Sequence, residues 1–290
     1  GFQITYLPDY NPDNLAGEIH EYHGIIINSK IKMTSAIMDL AVKLEFIGRL
    51  GSGLEIIDLE AAKNNGIHVF NSPEGNRNAV AEHAIGMLLC LTNNLLQADN
   101  QVRNKIWHRE DNRGIELEGK TIGIIGLGNT GSTFARKLSS WALDIIYYDP
   151  HVLNNPKGMD YISRVSLHEL KKSADIISLH VPLTEETRYM INASFLSECK
   201  NGLIIINTSR GKVLETEALV TALKNKKLRG ACLDVFENEK PHHFTSEEDQ
   251  LYKALYAFDN VVLSPHVAGW THESLRKIAE VLLTKISLIQ

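Results

Sequence analysis

The stretch KTIGIIGLGNTGSTFARKL, residues 120 to 138, decides the fold class of this 290-residue chain. An apolar run of strand length passes directly into Gly126, Gly128 and Gly131, and a segment with helical periodicity follows. In such a strand, G-x-G-x-x-G turn and helix, the glycines allow a tight turn, close approach of a pyrophosphate and close helix packing. The stretch predicts a dinucleotide site that includes Asn129 and Thr130 at the start of the helix.

A carboxylate follows at the end of the next predicted strand, in DIIYYDP. Asp149 lies 18 residues beyond Gly131, where a carboxylate accepts hydrogen bonds from an adenosine ribose. Its charge would repel a 2'-phosphate, and neither Pro150 nor His151 offers a guanidinium to hold one. The pattern predicts NAD rather than NADP, although a protonated His151 would offset part of the repulsion.

Short apolar runs alternate with helical segments from Lys120 onward, with helices to about Ser140 and from about Glu215. This alternation is typical of a parallel sheet covered on both faces, so we expect an α/β fold with a doubly wound NAD-binding (Rossmann) domain. The predicted strands are KTIGIIGLG, DIIYYD, ADIISLHV, GLIIINTS, GACLDVF and NVVLSPH.

The first 70 residues repeat this rhythm and predict a smaller, flavodoxin-like α/β substrate domain. Its expected strands are ITYL, GIIIN, LEFIGRLG and IHVF, with helices near residues 34–42 and 56–65. A long helix is predicted from Ala79 to about Lys105, and a closing helix in GWTHESLRKIAEVLLTKISLIQ would return to the first domain. We therefore predict a discontinuous substrate-binding domain of residues 1–73 and 271–290, and an NAD-binding domain of residues 74–270.

Polar residues stand where the predicted strands end. Ligands of open parallel sheets bind beyond the carboxyl ends of the strands, so these residues should lie along one edge. Each of them also has a plain structural role open to it, as a packed histidine, a helix cap or a turn residue. The set comprises Asp149, His180, Asn207 to Arg210, Asp234 and His266.

Six motifs in this order and spacing are GLGNTG, YYDP, HVPLTEET, NTSRG, LDVFENEKP and SPHVAGW. Together with RLGSGLEIIDLEAA, they resemble the D-isomer-specific 2-hydroxyacid dehydrogenase family, and within it the phosphoglycerate dehydrogenase-like members. The resemblance extends from about residue 44 to the end of the chain. It also implies a further strand and helix before GFQITYLPDY.

The resemblance implies three catalytic residues. Arg210 of NTSRG would bind the carboxylate and carbonyl oxygen of the substrate, a role that suits a planar guanidinium. His266 of SPHVAGW would take the hydroxyl proton as hydride leaves C2 for the nicotinamide, and return it in the reverse direction. Glu239 of FENEKP would orient the imidazole and raise the pKa of His266.

Further contacts follow from the same resemblance. Backbone amides of Ser52 and Gly53 would grip the substrate carboxylate. Asp234 would hold the nicotinamide carboxamide, while Val181 and Pro182 would pack on the adenine end unless they serve only as core. The remaining expected cofactor residues are His180, Thr187, Thr208, Ser209 and Gly269.

Composition limits the class of partner. Hydrophobic residues make up 43% of the chain, and 30 basic and 35 acidic residues are interspersed, giving a net charge of −5. No long basic run is present, so nucleic acid is not expected. The cysteines Cys90, Cys199 and Cys232 lie far apart in apolar contexts, without zinc spacing, so we expect no metal and a reducing cytoplasmic location. No membrane span or signal peptide is expected.

Three questions stay open in the sequence. The expected partner is a small 2-hydroxy or 2-oxo acid, and Arg77 could meet a phosphate, as in D-3-phosphoglycerate, or be a solvated arginine. Glyoxylate or hydroxypyruvate reduction is an alternative, as is an NAD-sensing corepressor-like binding protein on the same fold; Glu239, where formate dehydrogenases carry Gln, disfavours formate oxidation. The apolar circumference of the predicted helix from Ala79, with Trp107 beyond it, indicates burial between domains or a homodimer interface.

Overall fold

The computed structural model describes residues 1 to 289. The chain divides into two compact units, one formed by Gly1–Asn76 with the C-terminal segment from His272, the other by Arg77–Thr271. The sequence-based division had its first boundary after residue 73, at the start of a helix. The division in the structure falls inside that helix.

The described residues form ten strands and eleven α-helices. The strands are β1 (Gly24–Ile27), β2 (Phe46–Arg49), β3 (His68–Phe70), β4 (Thr121–Ile125), β5 (Asp144–Tyr148), β6 (Ile162–Arg164), β7 (Ile176–Leu179), β8 (Leu203–Asn207), β9 (Leu228–Leu233) and β10 (Val261–Leu263). The helices are α1 (Leu15–Glu18), α2 (Ser35–Leu40), α3 (Leu59–Asn64), α4 (Pro73–Thr92), α5 (Leu95–Arg103), α6 (Asn129–Leu138), α7 (Leu167–Ser173), α8 (Ala193–Glu198), α9 (Thr216–Lys224), α10 (Ser246–Tyr256) and α11 (His272–Ile286).

The larger unit contains a seven-stranded parallel sheet in the order β10-β9-β8-β7-β4-β5-β6. The chain first builds outward from β4 to β6, then crosses back to β7 and builds in the other direction. This strand order is that of a Rossmann fold, which confirms the predicted fold class. Its switch point lies between β4 and β7, where the glycine turn leaves the sheet.

Both faces of this sheet are buried. Along β4, Ile122 and Ile124 face one hydrophobic cluster with residues of α4 and α6, while Ile125 faces a second cluster with residues of α7 to α10. Along β8, Ile204 and Ile206 face the first cluster and the intervening residues the second. Alternate side chains of a strand point to opposite faces, so a strand buried on both faces is apolar throughout.

The smaller unit contains a three-stranded parallel sheet in the order β1-β2-β3. The helices α2 and α3 begin at the side-chain caps Thr34 and Asp58, which satisfy free N–H groups of the first turn. On this unit α11 packs Leu282 and Ile286 against Phe46. The last helix is tied down by Lys285, whose Nζ donates to both carboxylate oxygens of Glu74 at 2.9 Å.

Two sequence predictions of secondary structure are wrong. ITYL does not form a strand: Ile4 and Tyr6 are each 82% exposed, and nearby Phe2 instead packs its ring edge-on against Phe46 at 5.8 Å. The single helix predicted from Ala79 to Lys105 is two helices, α4 and α5, bent by 62°. The break falls at Asn94, which adopts a left-handed φ of 52° that a continuous helix does not allow.

A strand was also missed. The three residues of β6 form the edge of the larger sheet beside β5. A segment of this length carries too little periodicity to identify. On the smaller sheet, β2 is shorter than the predicted LEFIGRLG.

No single helix within residues 1 to 289 is long and apolar enough to cross a membrane, although the bent pair of α4 and α5 passes on length and composition. Much of α4 is core: Ala81, Ala84 and Leu88 are fully buried in the larger unit.

Candidate active site

The glycine turn between β4 and α6 is built by three glycines with different tasks. Gly126 has a φ of +90°, and a Cβ there would lie 2.6 Å from the carbonyl oxygen of His180. A Cβ on Gly131 would collide with the carbonyl oxygen of Gly126. Gly128 faces open space, with no atom within 4 Å of the position of a Cβ. Gly126 and Gly131 therefore serve the turn's own packing, while Gly128 leaves its backbone open to a ligand.

The N-terminus of α6 is available to an anion. Its N-cap is Gly128, which has no side chain to accept from the first N–H groups, and Asn129 and Thr130 form the first turn. Unpaired N–H groups and the helix dipole at such an end favour a pyrophosphate. The geometry thus fits the diphosphate of a dinucleotide.

Asp149 ties the end of β5 to this turn. One oxygen of its buried carboxylate accepts from the N–H of Leu127 at 2.7 Å, and the other from His151 and Val152 at 2.8 and 3.2 Å. These bonds hold the carboxylate beside the glycine turn. A carboxylate has about four lone-pair sites and three are used here, so the oxygen that accepts from Leu127 keeps acceptor capacity for a ribose hydroxyl.

Polar side chains in the segment after β7 make hydrogen bonds to residues close by in the chain. His180 Nε2 lies 2.9 Å from Ser178 Oγ, and its ring packs at 5.1 Å from that of Phe134. Burial lowers the pKa of His180 to about 3, so this imidazole is neutral. Thr187 Oγ1 donates to the carbonyl oxygen of Pro182 at 2.6 Å, closing the loop. Side chains of His180 and Thr187 therefore shape the loop, and Val181 packs against the core.

The turn after β8 presents Arg210. Fully buried Asn207 organises it: the side-chain oxygen accepts from the N–H and hydroxyl of Ser209 at 3.1 and 2.8 Å, and the amide donates to the Arg210 carbonyl at 3.1 Å. The hydroxyl of Thr208 is buried and has no hydrogen-bond partner among the described residues. The sequence predicts that Asn207 lies at the sheet edge but indicates no role for it. Its contacts are with residues two and three positions away, a spacing typical of an Asx turn.

Glu239 and His266 meet directly. His266 Nδ1 lies 2.8 Å from Glu239 Oε2, while Glu239 Oε1 accepts from the N–H of Phe236 at 3.3 Å. The hydrogen bond that His266 donates to Glu239 raises the pKa of His266 and outweighs burial, with the charges of Glu239 and Asp234 acting in the same direction. Burial raises the pKa of Glu239, but the bond and charge of His266 outweigh it, so this pKa is lowered. Both pKa shifts favour the charged forms of the two side chains.

Arg210 belongs to the same cluster. The positive charge of Arg210 contributes to lowering the pKa of Glu239 and offsets part of the rise in the pKa of His266. The turns that carry Arg210 and Glu239 touch through backbone, since a Cβ on Gly211 would collide with the carbonyl of Phe236. The larger unit therefore brings together a guanidinium, an imidazole and a carboxylate.

Asp234 lies at the end of β9, beneath the His266 turn. Its carboxylate is 1% exposed and accepts from Ser264 Oγ at 2.6 Å and from the N–H groups of Val267 and Ala268 at 2.9 Å. The family resemblance implies that this side chain holds the nicotinamide carboxamide. In the structure its hydrogen bonds are to the segment between β10 and half-buried Gly269.

The two expected substrate residues of the smaller unit lie in a well-braced loop. Ser52 Oγ donates to Asn76 Oδ1 at 2.8 Å, and the Asn71 amide donates to the Ser52 carbonyl at 2.7 Å. Gly53 follows, half-buried. In the larger unit, Arg77 is half-buried in α4 and makes no ion pair with the described residues.

The sequence of this chain is similar to those of known dehydrogenases. Residues 85–268 match the sequence model of the D-isomer specific 2-hydroxyacid dehydrogenase NAD binding domain. A hydroxypyruvate reductase of Thermotoga maritima is 37% identical over 274 residues, 94% of this chain and 87% of that protein. A D-3-phosphoglycerate dehydrogenase of Archaeoglobus fulgidus is 34% identical over 99% of this chain, which spans only 53% of that protein.

A solved structure shows the same fold. The D-lactate dehydrogenase of Aquifex aeolicus, in complex with NAD and lactic acid, has a TM-score of 0.85 at 30% identity, covering 97% of this chain and 86% of that one.

A Rossmann domain with an open glycine turn, a buried carboxylate beside that turn and an Arg–Glu–His cluster is the arrangement of a nicotinamide-dependent oxidoreductase. The chain belongs to the D-isomer specific 2-hydroxyacid dehydrogenase family. Its cofactor is NAD, and it is an NAD-dependent enzyme that interconverts hydroxy and oxo acids.

Proposed function

We propose that Arg210, His266 and Glu239 are the catalytic residues of this enzyme. Bound NAD would supply the hydride acceptor for oxidation at C2 of the hydroxy acid, and NADH the hydride donor for reduction of the oxo acid. The observation that carries the proposal is the 2.8 Å contact between His266 and Glu239. A second support is the electrostatic effect of Arg210 on both members of this pair.

The roles follow from chemistry. Arg210 is permanently charged and offers parallel N–H donors, which suit the carboxylate and carbonyl oxygen of a 2-oxo acid. His266 delivers its proton to the carbonyl oxygen during reduction and removes the hydroxyl proton during oxidation. Glu239 fixes the ring by accepting from Nδ1–H, which leaves Nε2 to exchange the proton with substrate.

The glycine turn, Asp149 and Thr208 suit the cofactor. Gly128 and the N–H groups of Asn129 and Thr130 would bind the pyrophosphate, and Asp149 would accept from a ribose hydroxyl. The open space beside Gly128 and the unpartnered Thr208 hydroxyl support this fit. The remaining expected cofactor residues, His180, Val181, Pro182, Thr187, Ser209, Asp234 and Gly269, contribute mainly by shaping the edge of the larger sheet. We also propose that the smaller unit is the substrate-binding domain, with Ser52 and Gly53 contacting the carboxylate.

The substrate we favour is hydroxypyruvate, reduced to D-glycerate. The support is the Thermotoga maritima hydroxypyruvate reductase, which this chain matches over most of both proteins. A phosphorylated acid, as in D-3-phosphoglycerate, is the second candidate, because Arg77 is a half-buried guanidinium without an ion pair among the described residues.

The test of function is NADH oxidation with hydroxypyruvate, phosphohydroxypyruvate, glyoxylate and pyruvate. Hydroxypyruvate should give the highest kcat/KM, and His266→Ala should lower kcat about a hundredfold or more, the scale of lost acid–base catalysis. His168→Ala removes an exposed histidine and should leave kcat unchanged. Near-normal turnover by His266→Ala would refute the catalytic assignment, and NADH binding without turnover of any oxo acid would favour a corepressor-like binding protein.

The phosphate question needs its own variant. Arg77→Ala should raise KM for phosphohydroxypyruvate far more than KM for hydroxypyruvate if the guanidinium holds the phosphate. Arg229→Ala, an exposed arginine on β9, is the matched control for loss of charge. Equal effects of Arg77→Ala on the two substrates would remove the phosphate from consideration.

We further propose a homodimer that uses α5 and the turn after it. Several large apolar side chains of this segment are exposed to solvent, Leu96 to 57% and Trp107 to 75%. The set comprises Leu95, Leu96, Val102, Ile106 and Trp107. A cluster of this kind is typical of a protein interface. A cytoplasmic location stays a prediction from the cysteine pattern.

A further inference from the structure

A chain of hydrogen bonds links helix α4 to the turn that carries His266. His83 Nε2 lies 2.8 Å from Ser264 Oγ and 3.6 Å from Asp234 Oδ1. Ser264 Oγ in turn lies 2.6 Å from the same Asp234 oxygen. Of the three hydrogen-bonded residues, Asp234 and Ser264 lie in the sequence motifs and His83 does not.

The direction of these bonds follows from the number of protons. A serine hydroxyl has one proton and a carboxylate only accepts, so Ser264 donates to Asp234 and must accept from His83. The thioether of Met87, 3.8 Å from Ser264 Oγ, is a weak acceptor and does not compete with a carboxylate at 2.6 Å. His83 therefore carries a proton on Nε2, and the order is His83 N–H to Ser264 O–H to Asp234.

The Asp234 end of this chain clamps the His266 turn. His266 has a left-handed φ of 56°, rare for a residue with a side chain, and its N–H donates to the Asp234 carbonyl at 2.8 Å. The next two N–H groups, of Val267 and Ala268, donate to the Asp234 carboxylate. The backbone that aims His266 at Glu239 is thus held on both sides by one aspartate.

We infer that His83 is a positioning residue for the acid–base histidine, acting through Ser264 and Asp234. This inference rests on the proposed role of His266. Without the N–H of His83, the Ser264 hydroxyl loses its donor, the Asp234 carboxylate can turn, and the clamp on the His266 backbone loosens. The guanidinium of Arg210 lies on a different turn, so recognition of the substrate carboxylate is retained.

The kinetic test compares His83→Leu with His83→Gln. The leucine variant should lower kcat for hydroxypyruvate about tenfold, as for loss of a residue that orients a catalytic group, with KM changed less than about twofold. Glutamine keeps an N–H donor at a similar reach and should restore most of kcat. His168→Leu, at an exposed position, is the control and should match wild type.

A second variant covers the case in which His83→Leu does not fold. Ser264→Ala breaks the chain at its centre and should reproduce the loss of kcat. The double variant of His83→Leu and Ser264→Ala should be no worse than either alone, because both remove one link of the same chain.

A readout without substrate separates this inference from the proposed function. The titration of the His266 ring, followed by NMR in the free protein, should have its midpoint lowered by His83→Leu and restored by His83→Gln. An unchanged midpoint with unchanged kcat would overturn the inference, as would equal losses in the leucine and glutamine variants. Failure of the wild-type enzyme to reduce any oxo acid would refute the proposed function while the NMR result still decided the positional link.

Discussion

The proton on His266 depends on the carboxylate beside it. Glu239 accepts from Nδ1 and raises the pKa of His266, so the imidazolium persists to higher pH than a free histidine would allow. In the proposed mechanism, reduction of the oxo acid requires this proton, so its rate should fall as pH rises through the raised pKa. Oxidation would require the neutral ring, so its rate should fall as pH decreases through the same pKa.

Glu239→Gln tests this dependence. The amide cannot stabilise the imidazolium by charge, so the midpoint of the kcat–pH profile for reduction should move to lower pH, toward the ordinary histidine value of about 6.5. Glu185→Gln, at an exposed position, should leave the midpoint in place. A midpoint that does not move in Glu239→Gln would mean that another group sets the profile.

The residues that sequence could identify are those with a chemical signature at fixed spacing. Arg210, Glu239 and His266 stand in motifs, and the structure brings the three into one electrostatic cluster. The roles of His83 and Gly211 could not be predicted, because their contacts are with residues far away in the chain: Ser264 for His83 and Phe236 for Gly211.

In the glycine turn, packing and the proposed ligand binding depend on different glycines. Gly131→Ala places a methyl group against the Gly126 carbonyl and should destabilise the fold by about 1–3 kcal/mol, as overpacking does. Gly128→Ala meets open space and should leave stability unchanged but block the approach of the pyrophosphate. Urea unfolding and NADH fluorescence titration measure the two effects. Equal stability losses for the two variants would contradict this division of tasks.

A strand or helix was predictable where its hydrophobic pattern extended over enough residues and where neighbouring segments of the chain bury it. The strands of the larger sheet are apolar because both of their faces are covered, and six of seven were found. The segment ITYL has the same local character but pairs with no strand among the described residues. The break between α4 and α5 depends on the left-handed conformation of Asn94, which is a backbone property that periodicity does not report.

The exposed apolar residues of α5 and the turn after it predict that the chain forms a homodimer. Leu96→Glu combined with Trp107→Glu should convert the proposed dimer to a monomer, because charges are poorly tolerated in the buried core of an interface. Sedimentation equilibrium measures the mass. Leu153→Glu, at a residue 63% exposed in another part of the larger unit, should remain dimeric. A monomeric wild-type protein would refute the proposal.

The left-handed backbone of His266 has a cost that a stability measurement should reveal. A side chain in this region costs about 1 kcal/mol, and glycine avoids that cost. His266→Gly should therefore be more stable to urea than His266→Ala by about 1 kcal/mol, although neither can exchange a proton with the substrate. The two variants compare folding alone at this position. If His266 has the proposed acid–base role, selection for thermal stability alone would replace it and remove the enzyme's activity.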